Sequence, residues 1–327
     1  MAEYTKPWLS IDAQIDQVAA RGLTVGERTH ATYTVRGIGY YRLTGYLYPF
    51  RESETSEADG RICVRVLDSY QPGTTLRHAE EIISFDRRLR MLVMDGIERI
   101  EIATRMHMGY VLGRRSPFAY EDPRSFTDAF TTPCTDARNP AASKHVQWLQ
   151  QVNARKAKSD EQFVAHFREC YDDRMPIWAL TEVLELGHLS TLYRGMLQPD
   201  AEEVAAAFDV PTKKLMSSWL ASLNYVRNVS AHHARLFNRK LQNAPKRPRK
   251  GSISDLDHLS DQSNPKPEFG TYNALAVIAY LLRGIDPACD WAPRMTELLH
   301  EFPTSHALTL HSIGVPDGWD ELPLWKP

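Results

Sequence analysis

Cysteine is scarce in this chain, and it is never paired. Cys63, Cys134, Cys170 and Cys289 are the only four in 327 residues, with no CxxC or CxC spacing. A disulfide-stapled secreted domain is denser in cysteine and a zinc site shows short spacings, so reduced thiols in a cytoplasmic protein are expected. Long hydrophobic runs are missing too. The longest, about Tyr272 to Leu282, falls short of the roughly 20 residues of a bilayer span, so no membrane partner is expected. No apolar h-region follows Met1, so no secretory leader is expected. Nor is there an excess of charge. At a formal net charge of -2, any polyanion has to be met by local segregation of charge. What is present is an ordinary globular composition, 43% hydrophobic, 24% charged and 10% aromatic, without an internal repeat.

Periodicity makes the chain mainly α-helical. Ser10 is placed to cap a helix starting at Ile11, and Arg21-Gly22 reads as its stop. A second helical segment covers 29–38. The stretch from Gly39 to Phe50 carries five aromatics in twelve residues and reads as a packed corner, though its rings could also stack unpaired bases. Residues 52–60 read as an acidic surface loop. Residues 61–67 alternate Ile62, Val64 and Val66 with polar partners, giving a possible short strand or hairpin. From Ile82 to Thr104 apolar residues recur at threes and fours, which predicts a helix of about 30 residues from Leu76, ending by Leu112. Residues 114–145 read as a loop insertion. Helices resume at 144–156 and 161–171, and Pro176 opens one from Ile177 to about Met196. Pro211 to Leu241 holds two helices or one broken one. Four parts are expected: 1–72, a helical and aromatic region; 73–245, a helical core; 246–270, a basic then polar flexible loop; and 271–327, a helix with a Trp- and Pro-rich extension.

One further absence is local. From Val210 to Ser254 there is no Asp or Glu, where average content would give about five or six, and there are ten Lys or Arg. A near-neutral chain has concentrated its positive field in this window, as contact with phosphates requires. Inside it lies Arg227-Asn228-Val229-Ser230-Ala231-His232. On a continued helix Asn224, Asn228, His232, Arg235 and Arg239 share a face, a polar stripe without a carboxylate. Histidine, with a reference pKa near 6.5, both accepts and donates a proton at cellular pH. An arginine stays charged and stabilises a pentacoordinate phosphorus. RNA supplies its own nucleophile, the 2′-hydroxyl, so such a site needs no metal or cofactor, and no carboxylate or cysteine lies within twenty residues of His232-His233. Five residues apart on a straight helix, Arg227 and His232 point about 140° from each other. A local distortion, or a second copy of the motif across a two-fold axis, would have to bring them together.

Arg227-Asn228-x3-His232 resembles the Arg-x4–6-His signature of the HEPN superfamily of helical ribonucleases. The longer string from Leu223 to Arg239 resembles the Abi-like (AbiD/AbiF) abortive-infection proteins of bacteria. So do Lys6-Pro7 with Asp12–Asp16 and Arg21–Leu23, the block Ile38–Tyr46, Phe85–Arg90 with Asp95–Glu101, Pro176–Trp178 with Glu182 and Gly187, and Gly318-Trp319 with Leu324-Trp325. The stretch Glu185-Leu186-Gly187-His188 departs from the Ser-Phe-Gly-like run expected there. The resemblance implies a HEPN-type helical bundle and metal-independent RNA cleavage leaving 2′,3′-cyclic phosphate and 5′-hydroxyl ends. It also implies toxin-like growth arrest in phage defence, and an RNA partner that can be a cognate small noncoding RNA.

On this reading His232 is the general acid/base, Arg227 stabilises the phosphorane, and Asn228 positions them in a homodimer. Arg235, Arg239 and Lys240 contact RNA, or are solvated helix-end charges. His233 falls on the apolar side, so packing competes with an RNA contact. Glu98 and Glu101 could orient the motif across a cleft, against the default of an i,i+4 ion pair with Arg105. The rival reading is a module that holds an RNA without cutting it. A third has a tyrosine near the motif, such as Tyr225, nucleotidylated.

Overall fold

The computed structural model describes residues 3, 5–58, 61–133, 142–261 and 270–326. The chain divides into two compact units, one of Met1–Arg88 with Leu298–Ser312, the other of Leu89–Glu297 with Ile313–Pro327.

In the first unit α1 (Ile11–Ala20) starts where the sequence places it, with Ser10 Oγ accepting from the Ala13 N–H. α2 (Arg28–Ile38) is capped by Glu27, and Gly39, at φ 86°, turns the chain directly into α3 (Tyr40–Tyr46). Tyr46 and Phe50 are buried while Tyr41 and Tyr48 are exposed, so only part of the aromatic stretch is core. Tyr46 OH donates to the buried Asp86 carboxylate, helping to satisfy a charge held out of water. The 52–60 loop is corrected: β1 (Arg51–Ala58) pairs antiparallel with β2 (Arg61–Tyr70). Ile62, Val64 and Val66 are all exposed, so this two-stranded ribbon needs no apolar row on β1 to bury against them. That is why the first strand carries no alternation to read.

α4 (Leu76–Arg115) is 40 residues long, three residues past the expected limit, and runs from the first unit into the second. In the second unit a 3-10 turn and α5 (Asp128–Thr131) occupy the described part of the expected insertion, whose residues 134–141, with Cys134, lie outside the described residues. α6 (Lys144–Ala157) and α7 (Gln162–Cys170) follow. The single helix expected from Ile177 is corrected to two, α8 (Ile177–Val183) and α9 (Leu186–Gly195). Leu184 turns extended, and its carbonyl accepts from Arg105 at 2.8 Å instead of from the next turn. α10 (Gln198–Ala206) and α11 (Lys213–Ala231) lead to a non-helical stretch. α12 (Thr271–Ile285), almost wholly buried, supports α11, and α13 (Trp291–His300) closes the order of α-helices. Residues 246–261 of the expected flexible loop form ordered chain, with a 3-10 helix at Ser254–Ser260 that buries Leu256 and Leu259; residues 262–269 lie outside the described residues.

Candidate functional site

α11 is placed by its apolar row. Met216, Trp219, Leu220, Leu223 and Val226 are buried at spacings of three and four against α9, α10 and α12. Thr212 opens the helix, its Oγ1 accepting from the Leu215 N–H at 3.2 Å. The polar row is thereby held outside the core. Asn224 packs on the start of α9, where a Cβ on Gly187 would lie 3.3 Å from Asn224 Oδ1. Beside it, Glu185 and His188 form a reciprocal capping box for α9. Burial pushes the His188 imidazole down against the opposing pull of Glu185, and its carbonyl accepts from Trp148 Nε1 at 3.0 Å.

The helix stops inside the motif. His232 is its C-cap; the His233 N–H donates to Ser230 O at 3.1 Å and the Ala234 N–H to Val229 O at 3.0 Å. This is the Schellman pairing, and its left-handed position, usually glycine, is His233 at φ 56°. The expected face from Asn224 through Arg239 is therefore corrected, because Arg235 and Arg239 lie beyond the helix. His233 is exposed, not packed on the apolar side. Leu236, Phe237 and Leu241 re-anchor the chain in the core, and Thr271 Oγ1 donates to Leu236 O at 2.9 Å.

From there the chain returns along α11. Arg239 Nη1 donates to Tyr225 OH at 3.3 Å and its Nε to Arg235 O at 2.9 Å. Arg235 lies 6.0 Å from the Phe237 ring centroid, and Lys240 is exposed. Within the motif, Arg227 Nη1 donates to Asn228 Oδ1 at 3.2 Å. Asn228 and His232 are both exposed and one helical turn apart. The hydrogen bond holds the guanidinium beside the Asn228 side chain, one helical turn before His232.

Glu98 and Glu101 do not join the motif by any described contact. Glu98 is exposed; Glu101 is buried and binds Arg105 at 2.6 Å, the i,i+4 pair that was the default. Arg105 is also 3.7 Å from Glu182. Sequence reasoning missed Ser230, whose Oγ is buried without a hydrogen-bond partner at the helix end. Among the described residues no group of three or more His, Cys, Asp or Glu gathers as a metal site, and no helix is long and apolar enough to cross a membrane.

The model of the family described as Abi-like protein matches residues 33–238, a span that begins in α2 and ends past the motif. No curated protein and no solved structure gives a significant match.

Proposed function

The chain belongs to the Abi-like protein family, and on that premise we propose that it is a metal-independent endoribonuclease of the HEPN type acting in abortive infection. The observation that carries the chemistry is the Arg227–Asn228 hydrogen bond at 3.2 Å, which holds the guanidinium beside Asn228, one helical turn before the exposed His232. A phosphodiester above that row meets a permanent cation and an imidazole together. His232 takes the 2′-hydroxyl proton, O2′ attacks phosphorus, and Arg227 stabilises the added negative charge. The 5′-oxygen leaves and takes up a proton, giving a 2′,3′-cyclic phosphate and a 5′-hydroxyl. Asn228 is a positioning residue, acting through Arg227. His233, Arg239 and Lys240 stand near the helix end as contacts for the RNA on either side.

Arg227→Ala and His232→Ala are each expected to abolish RNA cleavage in EDTA with the thermal transition unchanged. Cleavage by the His232→Ala protein at the wild-type rate would refute the assignment. A homodimer with the motif near its two-fold axis is the other way to close the offset, and it makes an opposite forecast. If one chain holds a whole site, mixing the two variants restores nothing; if the site is shared, the mixture regains activity. The second reading, a chain that holds a noncoding RNA without cutting it, is favoured by the acid-free window alone. Intact RNA co-purifying with the wild type would support it.

A further inference from the structure

The basic window has a second end at Lys214, about 27 Å from His232 along α11. There a surface groove of about 1160 Å3 is lined by Arg194, Lys213, Lys214, Lys246, Arg247 and Arg249, with Glu202 as the carboxylate on its wall. Lys213 and Lys214 occupy the first turn of α11, and no acidic residue accompanies them. Cations at a helix N-terminus oppose the helix dipole and cost stability, a cost that a bound anion would offset. The basic segment around Lys246 is no loose linker. Trp219 Nε1 donates to Lys246 O at 2.8 Å and the Lys246 N–H to Ser218 Oγ at 2.9 Å, so the backbone is pinned while the ammonium stays exposed. Arg247 is held by Leu259 O at 2.9 Å. Lys213 is half-buried and its Nζ donates to Met196 O, so the exposed charge of the groove comes from Lys214, Lys246 and Arg249.

The groove and the motif also share one helix face. Lys214, Ser218, Ala221, Tyr225, Asn228 and His232 follow one another at spacings of 4, 3, 4, 3 and 4. That spacing keeps all six on one side of the helix. The returning chain sets Arg239 on Tyr225 in the middle of this row, so positive charge is present at both ends and between.

We propose that the groove binds the sugar-phosphate backbone of a single RNA strand that runs along this face of α11 to His232. The proposal rests on RNA being the ligand of the motif, and it adds where the flanking strand lies. At a stacked rise of about 3.4 Å per nucleotide, the 27 Å track holds about eight nucleotides on one side of the cut. The groove offers charge without base-reading geometry, so it takes any sequence, and DNA as well as RNA.

The test is the triple variant Lys214→Ala/Lys246→Ala/Arg249→Ala, whose three side chains are exposed. Fluorescence anisotropy is measured with a labelled 20-nucleotide 2′-O-methyl RNA, which the proposed chemistry cannot cut. The Kd is expected to rise about tenfold or more at 100 mM salt, and the slope of log K against log salt to fall in magnitude by about 2. Cleavage of a four-nucleotide RNA, too short to reach the groove, is expected to continue at the wild-type rate. A wild type that binds and cuts RNA, beside a triple variant with the same Kd and slope, overturns the groove and leaves the motif standing. A wild type that binds no RNA overturns both. Equal losses on the four- and twenty-nucleotide substrates overturn the track, since the damage would then not depend on strand length.

Discussion

His233 occupies the left-handed position of a helix stop with a side chain that has no geometric reason to prefer it. An L-residue there is strained by roughly 1 kcal/mol relative to glycine, although histidine tolerates it better than most. His233→Gly is therefore expected to raise the stability read from urea denaturation by up to about 1 kcal/mol at constant m. A lowered midpoint would mean that the imidazole makes a stabilising contact outweighing the strain. Asn228 makes a different forecast. It is exposed, so Asn228→Ala is expected to leave stability within about 0.5 kcal/mol. The variant releases the Arg227 guanidinium and should lower kcat by about tenfold to a hundredfold with KM nearly unchanged. A rise in KM at constant kcat would make Asn228 a substrate contact instead.

Among the elements, legibility follows how strongly each residue advertises its backbone. Ser10 and Thr212 sit where caps belong, so the starts of α1 and α11 can be read or bracketed from sequence. The end of α11 cannot, because the stop is built on a histidine where glycine would have announced it. The α8–α9 break is hidden for a related reason: its signals are an extended Leu184 and a capping box in which histidine replaces the usual Glu or Gln. β1 lacks alternation because its ribbon buries neither row, although the Asp59-Gly60 dipeptide is a hairpin signal in plain sight. The motif residues themselves are legible; the Arg227–Asn228 hydrogen bond is not, since it depends on a side-chain rotamer. Close helix contacts yield a prediction at this scale. A Cβ on Gly195 would lie 2.4 Å from Phe130 Cδ1, between α9 and α5. Gly195→Ala is expected to cost about 1–3 kcal/mol, read as a lowered thermal midpoint; an unchanged midpoint would show that Phe130 moves aside freely.

Over the whole molecule, stability carries a pH dependence of definite sign. Burial pushes His78, His107, His188 and His258 below the usual histidine value, with His306 adding to the effect at His78. Such groups bind a proton less readily when folded than when unfolded. Their contribution is therefore complete above the unfolded value near 6.5 and is lost as pH falls from there through the depressed folded values. Denaturation midpoints should be lower at pH 5.5 than at pH 7.5; an equal or higher midpoint at pH 5.5 would contradict this.

The proposed function is a reaction in which the RNA attacks itself. The most direct measurement uses one RNA strand in EDTA, prepared with and without a single 2′-deoxy substitution at the mapped cut site. The unmodified strand is predicted to yield a 2′,3′-cyclic phosphate and a 5′-hydroxyl, and the deoxy position to stay uncut. Cleavage there at an equal rate would contradict the proposed chemistry, because a water or metal-bound nucleophile would then be doing what has been assigned to the 2′-hydroxyl under His232.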